Sequence, residues 1–416
     1  MYNEFPYIYI IQGRKMKKKT IALMLSLLLV GGMLAACGKS SEDTPATETS
    51  TAGTSAAEDT TAKDNQDTTA PAASGEIVAG LANGYMGNTW RAQFVEAFET
   101  KAEELKQAGV LKDYMTASTD TDVTEQMNQI NNMISSGVNL ILLNPISPAS
   151  VTPIQAACDA AGVLLVIDTD PAAVDENLIE VLVDNKQYFE IMTKWFVEAL
   201  DGKGNIVHIT GTPGMPADLV RQQVVEDILA DYPDINVLAT APGSWSQTES
   251  QAAMSTFLST YDNIDGVLTQ DVMAEGILRA YETAGKEPPV MTGDYVFSFF
   301  RKWQDMPELE ACATTFQPHG SAEGLQYGIR IMQGKTLKEG ILGPNPLDET
   351  MINAINMPPA YCVTYNEEPA DASWKQGYEL TEFITCEQAV ALGEGQPDTA
   401  SLGKTLPDSA WDDMFE

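Results

Sequence analysis

Nine side chains at or just beyond the ends of apolar runs have the types needed to hold a neutral, hydroxyl-rich molecule: Asn83, Asn88, Trp90, Asp168, Arg221, Trp245, Gln270, Asp294 and Gln317. Planar amide, carboxylate and guanidinium groups make paired hydrogen bonds to neighbouring hydroxyls, and indole faces cover the C–H faces of a ring. Trp90 and Trp245 come from different halves of the chain, as do Asp168 and Asp294, so two closing lobes would bring one set to each side of a ligand. In ANGYMGNTW (82–90), Asn83 and Asn88 would supply hydrogen bonds, Trp90 a stacking face, and Gly84 and Gly87 a close backbone approach.

Each residue also has a purely structural reading. Asn88 fits an N-cap for a helix starting at Thr89. Trp90 and Trp245 fit lobe packing, Asp271 a helix-start carboxylate, Asp168 and Asp170 partners for surface lysines, and Arg221 a solvated helix face. The ligand reading rests on the joint placement of so many planar polar groups at strand ends. No catalytic set accompanies them. The two histidines, His208 (expected to be a satisfied strand residue) and His319, are too few for a zinc or Ser-His-Asp site, and GYMGN lacks the G-x-G-x-x-G fingerprint, so no metal, cofactor or enzymatic activity is expected.

The elements that must position these residues alternate. Short β-branched runs at 76–81, 138–143, 163–168, 178–183, 205–210, 235–240, 265–269, 289–293 and 311–316 are separated by amphipathic stretches such as WRAQFVEAFETKAEELKQ and DVMAEGILRAYETAG. Several runs are apolar throughout, as in strands covered on both faces, and the β-α alternation predicts an α/β protein with doubly wound parallel sheets. In such sheets ligands bind outside the carboxyl ends of the strands, where the nine residues stand.

The N-terminus reads differently. RKMKKK (14–19), an apolar stretch from Ile21 to Met33 and Leu34-Ala-Ala-Cys37 form a leader (1–36) ending at a cysteine. The apolar stretch is short for a transmembrane span and is interrupted by Gly31 and Gly32. Met16 begins a better-formed leader than Met1 does. Residues 38–75 contain no Leu, Ile, Val, Met or aromatic residue and predict a disordered tether over 37–75. Without residues 1–36, which hold five of the 24 basic residues and one of the 59 acids, the net charge is −39, which argues against nucleic-acid binding. Of the five cysteines, Cys158 suits an apolar helix face, while Cys312, Cys362 and Cys386 leave one disulfide open and unassigned.

The segment EQMNQINNMISSGVNLILLNPISPASVTPIQAACDAAGVLLVIDTD, with TQDVMAEGILRAYETAG, VMTGDY and TTFQPHGSAEGLQYGIRIMQGKTL, resembles type I periplasmic binding proteins of the ribose-binding kind, in order over roughly 76–345. The leader and Cys37 resemble a lipobox, which implies lipidation of Cys37. The resemblance implies two doubly wound parallel-sheet lobes joined by a multi-strand hinge: a first lobe of 76–184 plus 314–345, a second of 185–313, and a hinge return and extension over 346–416. Crossings are expected near 183–187, 312–317 and somewhere after 342.

It also implies first-lobe contacts from Asn88, Trp90 and Asp168, second-lobe contacts from Arg221, Trp245, Gln270 and Asp294 or Tyr295, and a hinge-side amide at Gln317. Thr169 stands where many sugar-binding relatives have arginine, and Asp168-Thr-Asp170 is similar to relatives that bind other sugars or autoinducer-2. The implied function is an extracytoplasmic, monomeric lipoprotein that passes a small carbohydrate to an ABC permease. The alternative is a sensor subunit presenting its ligand to a receptor or kinase. Trp90→Ala or Asp168→Ala is then expected to abolish binding with folding nearly intact.

Overall fold

The computed structural model describes residues 76–416. The leader, Cys37 and the tether lie outside the described residues. Among those described, no helix is long and apolar enough to cross a membrane.

The first sheet is built from β1 (Ile77–Asn83), β2 (Leu111–Ser118), β3 (Leu140–Leu143), β4 (Leu164–Thr169) and β5 (Glu180–Val183), with α1 (Thr89–Gln107), α2 (Val123–Ser135) and α3 (Pro148–Ala161) as crossovers. The period of two sorts its side chains. Leu140 and Leu142 of β3 pack with Ile77, Ala79, Leu81, Phe94 and Phe98, whereas Ile141 and Leu143 face Ile130, Met133, Val151 and Ile154 on the other side. Helix α1 is capped by Asn88, whose side-chain oxygen accepts the Arg91 backbone N–H at 3.0 Å. Strand β2 was not evident in the sequence because it is an edge strand with one fully buried residue, Leu111, and so lacks an apolar run.

The second sheet uses α4 (Asn185–Ala199), β6 (Lys203–Thr210), α5 (Pro216–Leu229), β7 (Asp234–Pro242), α6 (Gln247–Thr260), β8 (Gly266–Leu268), α7 (Ala274–Ala284), β9 (Val290–Thr292), α8 (Phe297–Gln304) and β10 (Ala311–Thr314). His208 in β6 is buried and stacks on Phe189, and burial pushes its imidazole down to about 4. The expectation that it is a satisfied strand histidine is corrected, since its Nε2 has no hydrogen-bond partner. All four described cysteines are buried and free of disulfide bonds, and the Cys312 and Cys362 sulfurs approach to 3.5 Å.

The last segment returns to both sheets. It holds α9 (Gly320–Met332), β11 (Ala354–Met357), β12 (Tyr361–Thr364), β13 (Glu382–Thr385), α10 (Cys386–Leu392) and α11 (Asp408–Asp413). Strand β11 completes a six-stranded, all-parallel sheet in the order β11-β5-β4-β3-β1-β2. The other sheet runs β13-β12-β10-β9-β8-β6-β7 and is parallel except where β12 lies antiparallel to β10. The chain therefore passes between the sheets three times: at Asp184, over 315–319 and over 358–360. These crossings are tied together, with Asp184 N–H on the Met357 carbonyl and Thr315 N–H on the Tyr361 carbonyl, both at 2.8 Å.

Helix α11 docks on α9. The fully buried Trp411 donates its indole N–H to Glu323, whose carboxyl also accepts the Leu406 N–H at 2.7 Å and is pushed up to about 7 by burial. Trp411→Ala is expected to cost about 3–5 kcal/mol in urea unfolding, as for a buried aromatic truncation. A loss below about 1 kcal/mol would show that the tail is not part of the cooperative fold.

Candidate functional site

The carboxyl ends of the two sheets face each other across a cleft lined by Tyr85, Asn88, Trp90, Arg91, Asp170, Ala217, Arg221, Trp245, Asp271, Tyr295 and Phe316. Of the nine residues singled out from sequence, Asn88, Trp90, Arg221 and Trp245 line it. The other five do not, and their contacts say why.

Asn83 is fully buried and shapes the turn after β1, donating to the Tyr85 carbonyl at 2.7 Å and to Ser118 Oγ at 3.2 Å. Gly87 is covered by the ring of Tyr85, which would collide with any Cβ there, so this glycine admits a side chain rather than a ligand. Asp168 is fully buried against Gly324 of α9, with burial pushing its carboxyl well above the usual range. Gln270 lies behind the wall, its amide oxygen accepting from Arg221 at 2.6 Å and from the Trp245 indole at 3.3 Å. Asp294 is fully buried and accepts the Tyr295 backbone N–H at 2.7 Å, and burial raises it too. Gln317 holds the hinge, donating to the Pro358 carbonyl at 3.0 Å.

Two ion pairs face one another, one from each sheet. In the first, Arg91 Nη2 meets Asp170 Oδ2 at 2.8 Å, with the guanidinium 4.9 Å from the Trp90 ring. Asn144 donates to the same carboxylate oxygen at 2.8 Å. In the second, Arg221 pairs with Asp271, donates Nε–H to Asn185 at 3.0 Å, and lies 4.5 Å from the Tyr188 ring and 4.6 Å from that of Phe316. Tyr295 donates its hydroxyl to Asp271 at 2.8 Å; burial, then the Asp271 charge, holds that phenol well above its usual pKa, so it stays a donor.

The pairs are not equivalent. Arg91 Nη1 and Asp170 Oδ1 are both buried without a hydrogen-bond partner, so an open donor and an open acceptor belong to one pair. Leaving such atoms unpaired costs about 1–3 kcal/mol each. A ligand that offers an acceptor and a donor on adjacent atoms, as a vicinal diol does, satisfies both. Backbone strain accompanies this geometry: Thr169, Ser244, Trp245 and Asp271 have φ of 70°, 52°, 52° and 50°, all at strand ends beside the cleft. The free space among the lining side chains is about 20 Å³, room for about one water molecule, so a larger ligand enters only when the sheets move apart.

Sequence reasoning left out Arg91, Tyr85 and Phe316. Arg91 carried a usable signal, since it follows Trp90 directly, but attention to strand-end loops excluded a residue already inside α1. Among the described residues, no group of three His, Cys, Asp or Glu side chains is placed to hold a metal ion.

Two facing α/β sheets with three crossings and a lined cleft between them define a two-lobed binding protein. The chain belongs to the periplasmic binding protein domain family, whose model matches residues 79–335. It is 30% identical over 171 residues to the xylitol-binding protein of Mycolicibacterium smegmatis, covering 41% of this chain and 49% of that one. It is 29% identical over 207 residues to the D-apiose import binding protein of Actinobacillus succinogenes, covering 48% and 67%. The chain thus spans about half to two thirds of the curated relatives it matches. An ABC transporter solute-binding protein from Thermobispora bispora shares the fold, with a TM-score of 0.65 at 22% identity over 81% of this chain and 94% of that one.

Proposed function

We propose that this protein is an extracytoplasmic solute-binding lipoprotein, anchored through a lipid on Cys37, that captures a small neutral carbohydrate or polyol between its lobes and delivers it to an ABC importer. The observation that carries the ligand class is the Arg91–Asp170 pair, with one open donor and one open acceptor beside the Trp90 face. A xylitol-binding protein and a D-apiose import binding protein among its relatives support the same class. We place Asn88, Trp90, Arg91 and Asp170 on the first-lobe wall and Arg221, Trp245, Asp271 and Tyr295 on the second, with Asp168, Gln270 and Asp294 as buried supports and Gln317 as a hinge tie.

We divide the lobes as 76–184 with 314–345, and 185–313, while 346–416 contributes to both. Ligand contacts to both walls stabilise the closed form, which is the form a permease recognises. The protein acts as a monomer and not as an enzyme.

Thermal unfolding against pentoses, hexoses, polyols and autoinducer-2 tests this reading. A ligand at 100 times its Kd is expected to add about 2.7 kcal/mol of stability, seen as a raised midpoint. A panel without response, alongside a clear response to an amino acid or nucleoside, would overturn the carbohydrate assignment.

A further inference from the structure

The segment from Gly393 to the end of the chain joins the two lobes a fourth time, separately from the three hinge crossings. On the second lobe, Arg301 donates to the Gly393 and Gln396 carbonyls at 2.8 and 2.9 Å and pairs with Asp398. Next, the backbone N–H groups of Ser298 and Phe297 donate to the Asp398 and Ala400 carbonyls at 2.9 and 3.0 Å, and the Leu402 N–H donates to the carbonyl of Tyr295, a cleft-lining residue, at 2.8 Å.

The same stretch, 398–402, is also hydrogen-bonded from the first lobe by one side chain. Gln93 of α1 donates to the Thr399 carbonyl at 2.9 Å and accepts the Ser401 N–H at 2.9 Å. Gly403 passes so close to Gln317 that a Cβ would sit 2.8 Å from it, Lys404 still reaches the second sheet through its ion pair with Glu382 and its position 5.1 Å from the Tyr361 ring, and from Leu406 onward the chain is fixed to the first lobe. There the Glu323 carboxyl accepts from Leu406 and Trp411, Arg330 pairs with Asp412 at 2.9 Å, and the Lys338 N–H donates to the Met414 carbonyl at 2.9 Å.

We propose that residues 393–416 form a strap that holds the cleft shut and limits how far it opens, with Gln93 as its clasp. Residues 398–402 travel with the second lobe, to which Lys404 adds its ion pair with Glu382, and 406–416 travel with the first, so separation of the lobes must break both Gln93 hydrogen bonds and draw out the short run 403–405. Three residues extend at most about 10 Å, which bounds the movement at that edge. The strap also bears on Tyr295 and, through its hydroxyl, on Asp271, so its position and the second-lobe wall are coupled. This device goes beyond the carbohydrate reading and does not depend on it.

The test is the inter-lobe distance distribution of the full-length, ligand-free protein by pulsed electron paramagnetic resonance. Spin labels are placed at Asn132→Cys and Ser255→Cys, both exposed and on opposite lobes, in a Cys37→Ser background where the described native cysteines are buried. Gln93→Ala is expected to raise the ratio of open to closed protein about fivefold. Gln93→Glu, which keeps the acceptor for Ser401 and loses the donor to Thr399, should fall between. Inserting Gly-Ser-Gly-Ser after Lys404 is expected to lengthen the longest populated distance without lowering the thermal midpoint. Unchanged distributions in both Gln93→Ala and the insertion would overturn the proposal, whatever ligand the cleft takes.

Discussion

Arg221→Ala is expected to abolish ligand capture and to remove about 3–5 kcal/mol of stability, the cost of breaking a buried ion pair from one side. Arg221 is 1% exposed, and its guanidinium is the shared donor for Asn185, Gln270 and Asp271. Its removal leaves the Asp271 carboxylate in a wall of Tyr188, Tyr295 and Phe316 with only phenolic donors. Arg221→Lys is expected to recover part of the stability and little of the binding. An ammonium cannot present the planar fork that reaches Asn185 and Gln270 together, and its charge is not spread over the Tyr188 and Phe316 rings. Urea unfolding reads the first effect, and calorimetric titration with the best responder from the ligand panel reads the second. Affinity within twofold of the parent in Arg221→Ala would sink the second-lobe wall as assigned here.

The next largest contrast is between two carboxylates two residues apart. Asp170→Ala is expected to weaken binding at least a hundredfold, roughly the loss when one partner of a buried, hydrogen-bonded charge pair is truncated. Asp168→Asn should leave affinity within about threefold, because its side chain lies under α9 rather than on the cleft, and an amide keeps its shape.

The two variants also separate by pH. Burial raises the Asp168 carboxyl in the folded protein above its unfolded value, so the folded state holds that proton more tightly. Stability from this group is full below the unfolded pKa and is lost as pH rises towards the folded pKa. Asp168→Asn removes that loss, so its advantage over the parent is expected to grow as pH rises from about 4, the ordinary aspartate value. Equal unfolding midpoints for parent and variant from pH 4 to 8 would show that Asp168 is not held protonated.

The expectation that Trp90→Ala leaves folding nearly intact does not survive the structure. Trp90 is 4% exposed, stacks on Phe94 and Phe316, and donates its indole N–H to the Phe316 carbonyl in the hinge at 2.6 Å. A site residue that also pins a crossing segment cannot be truncated without cost to the fold, so its effect on binding is not read cleanly from that variant. Asp170 is the better probe, because its ion-pair partner Arg91 is itself a cleft group.

The division into two lobes came with the family resemblance, while the alternation of strands and helices and the strand-end location of the polar groups were legible in the sequence alone. These follow from local periodicity and from the rule that a parallel sheet opens its carboxyl edge to ligands, neither of which needs distant contacts. It did not determine which polar groups reach the cleft. Thr169 has a φ of 70° and sits in a three-residue turn closed by the Asp170 N–H on the Asp168 carbonyl at 2.8 Å. A β-branched residue rarely adopts that conformation, so nothing in Asp168-Thr-Asp170 signalled the turn that buries Asp168 and aims Asp170 at Arg91.

Gln270 and Asp294 were displaced from the cleft for a related reason. Each is consumed by a neighbour, Arg221 or the Tyr295 backbone, that the strand-end pattern does not reveal. The tail was least legible. Its strands are four residues long and its strap has no periodicity, because its hydrogen bonds go to Gln93, Tyr295 and Glu323, residues more than 80 positions away. Contacts of that range exist only once both lobes are folded, and they decide what holds the cleft closed.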